Sequence, residues 1–429
     1  MADGTFKRLR AGMQGPVPPK AGSGEEDQVA MAQGKSRPAW AEIDVAAISA
    51  NTRLLAQLAS PAQLCAVVKA HGYGHGAPAV AKAALAGGAA GLAVALVDEG
   101  VELRSRGVHG PVLLLSECDT DAVEDACAYR LTPTLYSAEG IARFGQAALM
   151  LGQRTAVHIK VDTGMHRVGA QPAEVPALVQ AIADDPLLYL EGLCTHFPVA
   201  DGTEAEDRRF TRGQIELFDG VVAELARAGV TPDVLHAANT AGAIVFPGAR
   251  YSMVRCGLGL YGYLPGPAVT AAFGEASPDA ALRPALSLKA RVVALRTLEA
   301  GERPSYGRLR PLPARSVVAT VPIGYADGVP RALFTSGYSV LIGGRRRPLA
   351  GMVTMDQIVV DCGDDGTVHE GDEVVLIGRQ GDEEITADEW AELLGTISYE
   401  VLCGIGARVP RLIVNPPALA GGSISPPVP

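Results

Sequence analysis

The chain has 429 residues and a formal net charge of −10 at pH 7. That length exceeds one ordinary domain, and the acidic balance argues against a nucleic-acid surface, which needs a basic stripe. Its seven cysteines are scattered with no Cys-x-x-Cys pair, suggesting neither a disulfide framework nor a zinc knuckle and fitting a reducing cytoplasm, and no apolar run approaches the ~20 residues of a membrane helix.

Residues 1–37 are rich in Gly, Pro, Ala and polar groups and lack a signal-like apolar core. They predict a loose tail, within which Met31 offers a second possible start. From 38 to 275 one theme recurs: a short β-type apolar run, a loop, then a helix-like segment. The runs are LCAVVKA (64–70), GLAVALV (91–97), PVLLLS (111–116), LTPTLYS (131–137), AVHIKVDTG (156–164), YLEGLCTHF (189–197), DVLHAANT (233–240) and MVRCGLGLYG (253–262). Helical candidates such as 98–107 and 204–229 lie between them. Alternation implies a parallel sheet, and eight runs imply an α/β architecture closed as a (β/α)8 TIM-type barrel. Residues 276–412 change texture to β-type runs broken by glycine-rich turns, which predict a mostly antiparallel β domain. Gly343-Gly344 before Arg345-Arg346-Arg347 reads as a hairpin turn. The one clear helix of this region opens at Thr386, with Glu389 completing a capping box. Residues 413–429 are expected to form a second flexible tail.

The unusual residues fall at or near strand ends: Lys69, Lys160 with Asp162, His196, His236 with Asn239, and Arg255. In such a barrel active sites assemble at that rim. Only seven lysines occur in the chain. Lys69, ending an apolar run, is either an exposed lysine past a strand or an imine-forming amine. Gly72, Gly74 and Gly76 allow a ligand close to the backbone, and Tyr73 offers a hydroxyl. His71 and His75 have the spacing of some zinc sites, but the glycines argue against a helix holding them, so no metal is expected. Asn239-Thr240 near a helix start suits either an ordinary N-cap or a phosphate, and the glycines after Arg255 could extend a phosphate cradle. Tyr306 taken alone looks like a surface-turn tyrosine, and Met355-Asp356-Gln357 like a strand.

The motifs AVVKAHGYGHG, KVDTGMHRVG, THFPVAD, HAANTAG, VRCGLGLYG, SYGR, VPIGYADGVPR, MVTMDQIVVD and RVPR follow one another between about 38 and 411. In this order they resemble the alanine racemases, pyridoxal-phosphate enzymes with a barrel and a β domain. The resemblance implies that Lys69 tethers pyridoxal 5′-phosphate and acts as one base. It implies that Tyr306, reaching in from the other subunit of a head-to-tail homodimer, is the opposite base. Arg255 would face the ring nitrogen, with His196 behind the ring, and Arg167 would touch the phenolic oxygen and the substrate carboxylate. Phosphate contacts would come from Tyr73, Thr240 and the amides of Gly257 and Leu258, beside Asn239. The Met355 backbone would hold the substrate carboxylate, with Tyr325 and Asp356 on the substrate side. Lys160 matches a position carbamylated in some relatives, where it would orient Arg167. The implied function is cytoplasmic racemisation of alanine, supplying D-alanine for peptidoglycan. His71, His166, Met352 and Ala407 depart from residues common in the family; the last two bear on the entrance. A racemase of serine or of broader range is the nearest alternative. A decarboxylase on this scaffold should lack the tyrosine base, and a non-catalytic cofactor binder should lack the β domain.

Overall fold

The computed structural model describes residues 37–416, so nearly all of both expected tails lies outside the described residues. β1 (Ala39–Asp44) runs into a helix at Val45–Ala59, whose start is fixed by Asp44 accepting a hydrogen bond from Ala47 N at 2.8 Å. Val45, Ile48, Thr52, Leu55 and Ala59 form its buried stripe, at the three-and-four spacing of a helix packed on one face. Eight parallel strands follow: β2 (Gln63–Val67), β3 (Gly91–Val94), β4 (Val112–Leu114), β5 (Thr134–Leu135), β6 (Thr155–Lys160), β7 (Leu188–Cys194), β8 (Val234–His236) and β9 (Met253–Cys256). They correspond one to one with the apolar runs read in the sequence.

Two four-stranded arcs, β4-β3-β2-β9 and β5-β6-β7-β8, make the barrel. A bridge between Leu113 and Thr132 closes one seam, and Arg255 N donating to Ala238 O at 2.9 Å closes the other. β3 and β4 are buried along their whole length. Burial on both faces explains why such strands read as unbroken apolar runs rather than alternating ones.

The second unit is mostly antiparallel: β10 (Leu286–Arg291), β11 (Ala294–Leu298), β12 (Ser316–Val321), β13 (Ser339–Ile342), β14 (Arg345–Pro348), β15 (Ile358–Asp361), β16 (Glu373–Gln380), β17 (Glu383–Ile385) and β18 (Arg411–Val414). Its larger sheet runs β14-β13-β16-β10-β1-β18 and its smaller one β11-β12-β15. β1, at the head of the stretch assigned to the barrel, therefore sits in the other unit, between β10 and β18. Its alternation gives the reason. Ala39, Ala41 and Ile43 are buried while Trp40, Glu42 and Asp44 are not, a pattern for a sheet with one face packed. Pairing also continues to Val414, past the expected boundary at 412.

Gly343 and Gly344, at φ 62° and 71°, make the hairpin turn, while the three arginines belong to β14. Arg346 spans Glu383 and Glu389, and Arg347 pairs with Asp365. Thr386 caps the helix Ala387–Leu394, its hydroxyl accepting from Glu389 N at 3.1 Å. A further helix, Ser398–Cys403, is absent from the sequence reading, its six residues being too few for periodicity to register. No helix among the described residues is long and apolar enough to cross a membrane.

One buried carboxylate ties the first described residue to the 324–328 loop. Asp327 accepts from Arg37 Nη1 and Nη2 at 3.0 and 2.5 Å and from Gly324 N at 2.9 Å, with Arg408 Nε at 3.5 Å. Breaking a fully buried pair costs about 3–5 kcal/mol. Here the Arg37 side chain keeps 24 % of its exposure and Arg408 remains nearby. Arg37→Ala should therefore cost about 2 kcal/mol in unfolding experiments, with Arg37→Lys recovering only part because it lacks the bidentate fork. An unchanged unfolding midpoint for Arg37→Ala would contradict this anchoring.

Candidate active site

A cavity of about 460 Å³ opens at the carboxyl ends of the barrel strands, its wall including Lys69, Tyr73, Lys160, Arg167, His196, Asn239, Thr240, Arg255, Gly257 and Leu258. These are the barrel residues singled out by sequence. Leu113, Thr134, Tyr399 and Cys403 also line it and were missed. Tyr399 and Cys403 belong to the short helix that the sequence did not signal. Thr134 sits on a two-residue strand with nothing in its surroundings to mark it.

After β2 the backbone turns left-handed at Ala70, His71, Gly72 and Tyr73, with φ of 52°, 53°, 63° and 51°. For the three residues with a Cβ this conformation costs roughly 1–2 kcal/mol each. The turn leaves Lys69 and Tyr73 on the cavity wall and His71 exposed. Tyr73 stacks on Tyr261 at 4.7 Å, and Tyr261 donates to Val67 O at 3.0 Å, which fixes both rings beneath the turn. His75 lies fully buried, its Nδ1 2.8 Å from Tyr73 O. Burial lowers its pKa to about 4, with nearby Arg411 acting in the same direction. One imidazole of the His71/His75 pair is thus exposed and the other enclosed, and among the described residues no cluster suits a metal ion.

Arg255 is buried and served by neutral acceptors. Nη2 donates to Thr195 O at 2.7 Å and Ala237 O at 3.0 Å, and lies 3.1 Å from His196 Nδ1. Nη1 reaches His236 O at 3.1 Å and His236 Nδ1 at 2.7 Å. Because a guanidinium only donates, His236 Nδ1 must accept, which leaves Nε2–H to donate to His158 Nδ1 at 2.8 Å. His158 in turn directs its Nε2–H at Glu191, 3.1 Å away. Gly192 makes room for this chain, since a Cβ there would stand 2.6 Å from the His158 ring. Burial first, and Arg255 second, hold His196 and His236 well below the ordinary imidazole range, so both are neutral.

Three polar groups meet at the mouth of β9. Thr240 Oγ1 accepts from Gly257 N at 3.1 Å, and a Cβ on Gly257 would lie 2.6 Å from Tyr73 Oη. Asn239 lines the cavity, but its side chain is committed as an N-cap, accepting from Gly242 N at 2.9 Å and donating to Phe197 O at 3.3 Å. On the opposite side, Asp162 Oδ1 accepts from Gly164 N and His166 N, both at 3.0 Å, pinning the loop that carries Arg167. Burial alone would raise the Asp162 carboxyl; the His166 and Gly164 amides and the His166 ring hold it below its usual range. Lys160 is buried, and burial, helped by Arg255 and Arg167, lowers its pKa. Four cations thus face one cavity whose described lining holds no carboxylate.

Tyr306, Tyr325, Met355 and Asp356 are not in this wall. Tyr306 is 74 % exposed and Met355 53 %. They share one outward surface because their loops are laced together. Tyr325 N donates to Thr354 O at 3.0 Å, Ala326 N to Met355 O at 3.0 Å, and Ser305 Oγ to Met352 O at 2.6 Å. Asp356 is held by Arg408 at 2.7 Å. Met352 is buried within this assembly, and Ala407 is exposed.

Comparison with known proteins gives two adjoining matches, to the family descriptions "Alanine racemase, N-terminal domain" over residues 43–265 and "Alanine racemase, C-terminal domain" over 285–413. An alanine racemase of Symbiobacterium thermophilum is 47 % identical over 375 residues, 87 % of this chain and 97 % of that protein. One of Carboxydothermus hydrogenoformans is 41 % identical over 378 residues, covering 88 % of this chain and all of that one. Among solved structures, an alanine racemase of Clostridium difficile 630 superposes with a TM-score of 0.82 at 36 % identity, covering 88 % of this chain and 96 % of its own. A histidine racemase from Leuconostoc mesenteroides superposes at 0.79 with 28 % identity, covering 89 % and 99 %.

The buried imidazoles set a pH dependence. His75, His196 and His236 are neutral when folded, and each takes a proton near 6.5 once unfolded. The unfolded chain therefore binds more protons below that pH. Stability is complete above about pH 6.5 and falls toward pH 5 by ~1.4 kcal/mol per pH unit for each group. Melting temperatures between pH 7.5 and 5 should decline along that limb, and a flat profile would contradict the neutral assignment.

Proposed function

Since the chain belongs to the alanine racemase family, we propose that it interconverts L- and D-alanine with pyridoxal 5′-phosphate held in the cation-lined cavity, and so supplies D-alanine for peptidoglycan. The observation that carries this reading is the convergence of Lys69, Lys160, Arg167 and Arg255 on one carboxylate-free wall of an otherwise acidic chain. Such a wall calls for a ligand with several negative charges, and a phosphate, a phenolate and a substrate carboxylate supply them. The Gly257 cradle fits the phosphate end, because the absent Cβ leaves the Tyr73 hydroxyl, the Thr240 hydroxyl and the Gly257 and Leu258 amides free to converge.

When bound, the cofactor supplies an imine and a conjugated ring that draw electrons from the substrate's Cα. The protein must do the rest. Lys69 would tether the cofactor and move the proton on one face of Cα. Tyr306 of the partner subunit would serve the other face in a head-to-tail homodimer, with the Met355 amide, Tyr325 and Asp356 bounding the substrate. The barrel unit would then hold the cofactor, and the β unit, with β1 in its sheet, would serve the neighbour. Arg255 would hydrogen-bond the ring nitrogen without protonating it, because a guanidinium keeps its proton. The neutral His236 accepts from Arg255 and so supports that choice. His196 would stand behind the ring, and Arg167 would contact the phenolic oxygen and the substrate carboxylate.

Lys160 has the low-pKa, buried amine suited to attack carbon dioxide. The nitrogen would bond to carbon as one C=O π pair of carbon dioxide moves onto oxygen, and would release its proton to solvent, giving a carbamate whose oxygens could accept from Arg167. The free state of every cysteine among the described residues supports a reducing, cytoplasmic setting.

A coupled assay for D-alanine, with serine, histidine and larger amino acids as competitors, tests the substrate, and alanine should be turned over fastest. Tyr306→Phe should lower kcat by roughly 10²–10⁴-fold, the worth of one general acid–base group, while cofactor absorbance stays at the wild-type level. Full activity in Tyr306→Phe would remove the second base from the account.

A further inference from the structure

The left-handed turn behind Lys69 raises a question that the racemase reading leaves open. Ala70, His71 and Tyr73 are L residues held at positive φ with no glycine's freedom; bonds within the segment, Gly74 N to Ala70 O at 3.0 Å and Gly76 N to His71 O at 2.8 Å, are joined by holders from outside it. At one end the holder is Arg411, whose Nε donates to Gly74 O at 2.9 Å while its other nitrogens reach the carbonyls of Ile405, Gly406 and Val409. At the other end, adjoining Lys69 itself, it is a carboxylate. Glu99 stands in the first turn of the helix Val97–Ser105, just after β3. Its Oε1 accepts from Ala70 N at 2.5 Å, and its Oε2 from Ala95 N at 2.8 Å and Leu96 N at 3.1 Å.

We infer that Glu99 is a positioning residue for Lys69: by bridging the Ala70 amide to the start of the next helix, its carboxylate locks the left-handed turn that presents the amine. Three amides converge on this one side chain, which suits a carboxylate because both of its oxygens accept and it takes several N–H groups at once. A glutamine of the same length would have to turn its own NH₂ toward one set of amides, losing either the Ala70 contact or the pair at Ala95 and Leu96. An aspartate is one methylene short of spanning both. The Ala70 amide is the first backbone donor after the lysine, so releasing it frees the backbone from which the Lys69 side chain springs. This inference rests on the reading of Lys69 as tether and as one of two bases. Loosening it should then weigh on the face of Cα that Lys69 serves and leave the Tyr306 face alone.

The test compares wild type, E99Q and E99Q/A70G. In cofactor-free protein, hydrogen exchange in E99Q should be at least about tenfold faster on whichever side of the bridge the glutamine's NH₂ faces, the Ala70 amide or the Ala95 and Leu96 amides. With pyridoxal phosphate added, attachment to Lys69, followed by absorbance, should need a higher cofactor concentration. The primary deuterium isotope effect from Cα-labelled alanine should rise for one enantiomer only. E99Q/A70G, in which glycine takes the left-handed φ without a Cβ penalty, should regain much of the lost kcat. Unchanged exchange at all three amides, Ala70, Ala95 and Leu96, in E99Q would overturn the clamp. So would equal isotope effects on both enantiomers, or a double variant no better than E99Q. The exchange arm decides the clamp without reference to catalysis, whereas a wild-type protein that racemises no alanine would defeat the functional reading instead.

Discussion

A proton that leaves one face of a carbon and returns to the other cannot be handled well by one amine anchored on one side. On the proposed function, that constraint organises this molecule. Lys69, the candidate amine, reaches the cavity wall from a backbone turn whose left-handed residues fix where it starts. The candidate for the opposite face is set on a second strained turn, with Ser305 at φ 67° and Gly307 at 75°, and faces outward. The Ser305 hydroxyl ties this turn to Met352 O, and main-chain bonds join the 352–357 loop to the 324–328 loop. Gly351 lets Pro304 approach and Gly324 lets Thr354 and Met355 approach, since a Cβ at either would meet carbonyl oxygens at 2.3–2.5 Å. An exposed tyrosine on a rigid, interlocked surface suits delivery to a neighbouring molecule better than service within its own chain.

Electrostatics give the cavity its other half. Burying guanidinium and ammonium groups side by side is costly unless something neutralises or solvates them. Arg255 is solvated from within by backbone carbonyls and two neutral imidazoles. The line Arg255–His236–His158–Glu191 carries that solvation through the barrel to a carboxylate at its far end. Burial lowers the pKa of Lys160 and of Arg255 alike, so both charged forms bear a desolvation cost. The wall is therefore arranged so that anionic ligands complete it.

Much of this was legible in the sequence, for physical reasons. Most positions of the barrel strands are buried whichever face they point to and so appear as apolar runs, and a charged residue ending such a run stands out. Lys69, Lys160, His196, His236 and Arg255 were visible for that reason. What depended on distant partners was not visible. β1 looks like any alternating strand until β10 and β18 flank it. The helix carrying Tyr399 is too short to show a period. Nothing in Ala70, His71 or Tyr73 announces positive φ, and Glu99 is an ordinary first-turn acid until the fold brings the Ala70 amide against it. Tyr306 read locally as a surface tyrosine, and its exposure agrees with that reading. Its assigned role came from the resemblance and needs a second chain.

Mixing two inactive proteins tests that dependence most directly. One would carry Lys69→Ala and the other Tyr306→Phe, unfolded and refolded together so that subunits exchange. If each site draws its amine from one chain and its phenol from the other, half of the randomly formed dimers are mixed, and each of these has one intact site, giving about a quarter of wild-type activity. If both groups act within a single chain, every mixed dimer joins two defective sites. The mixture would then stay as inactive as its parents, contradicting the account.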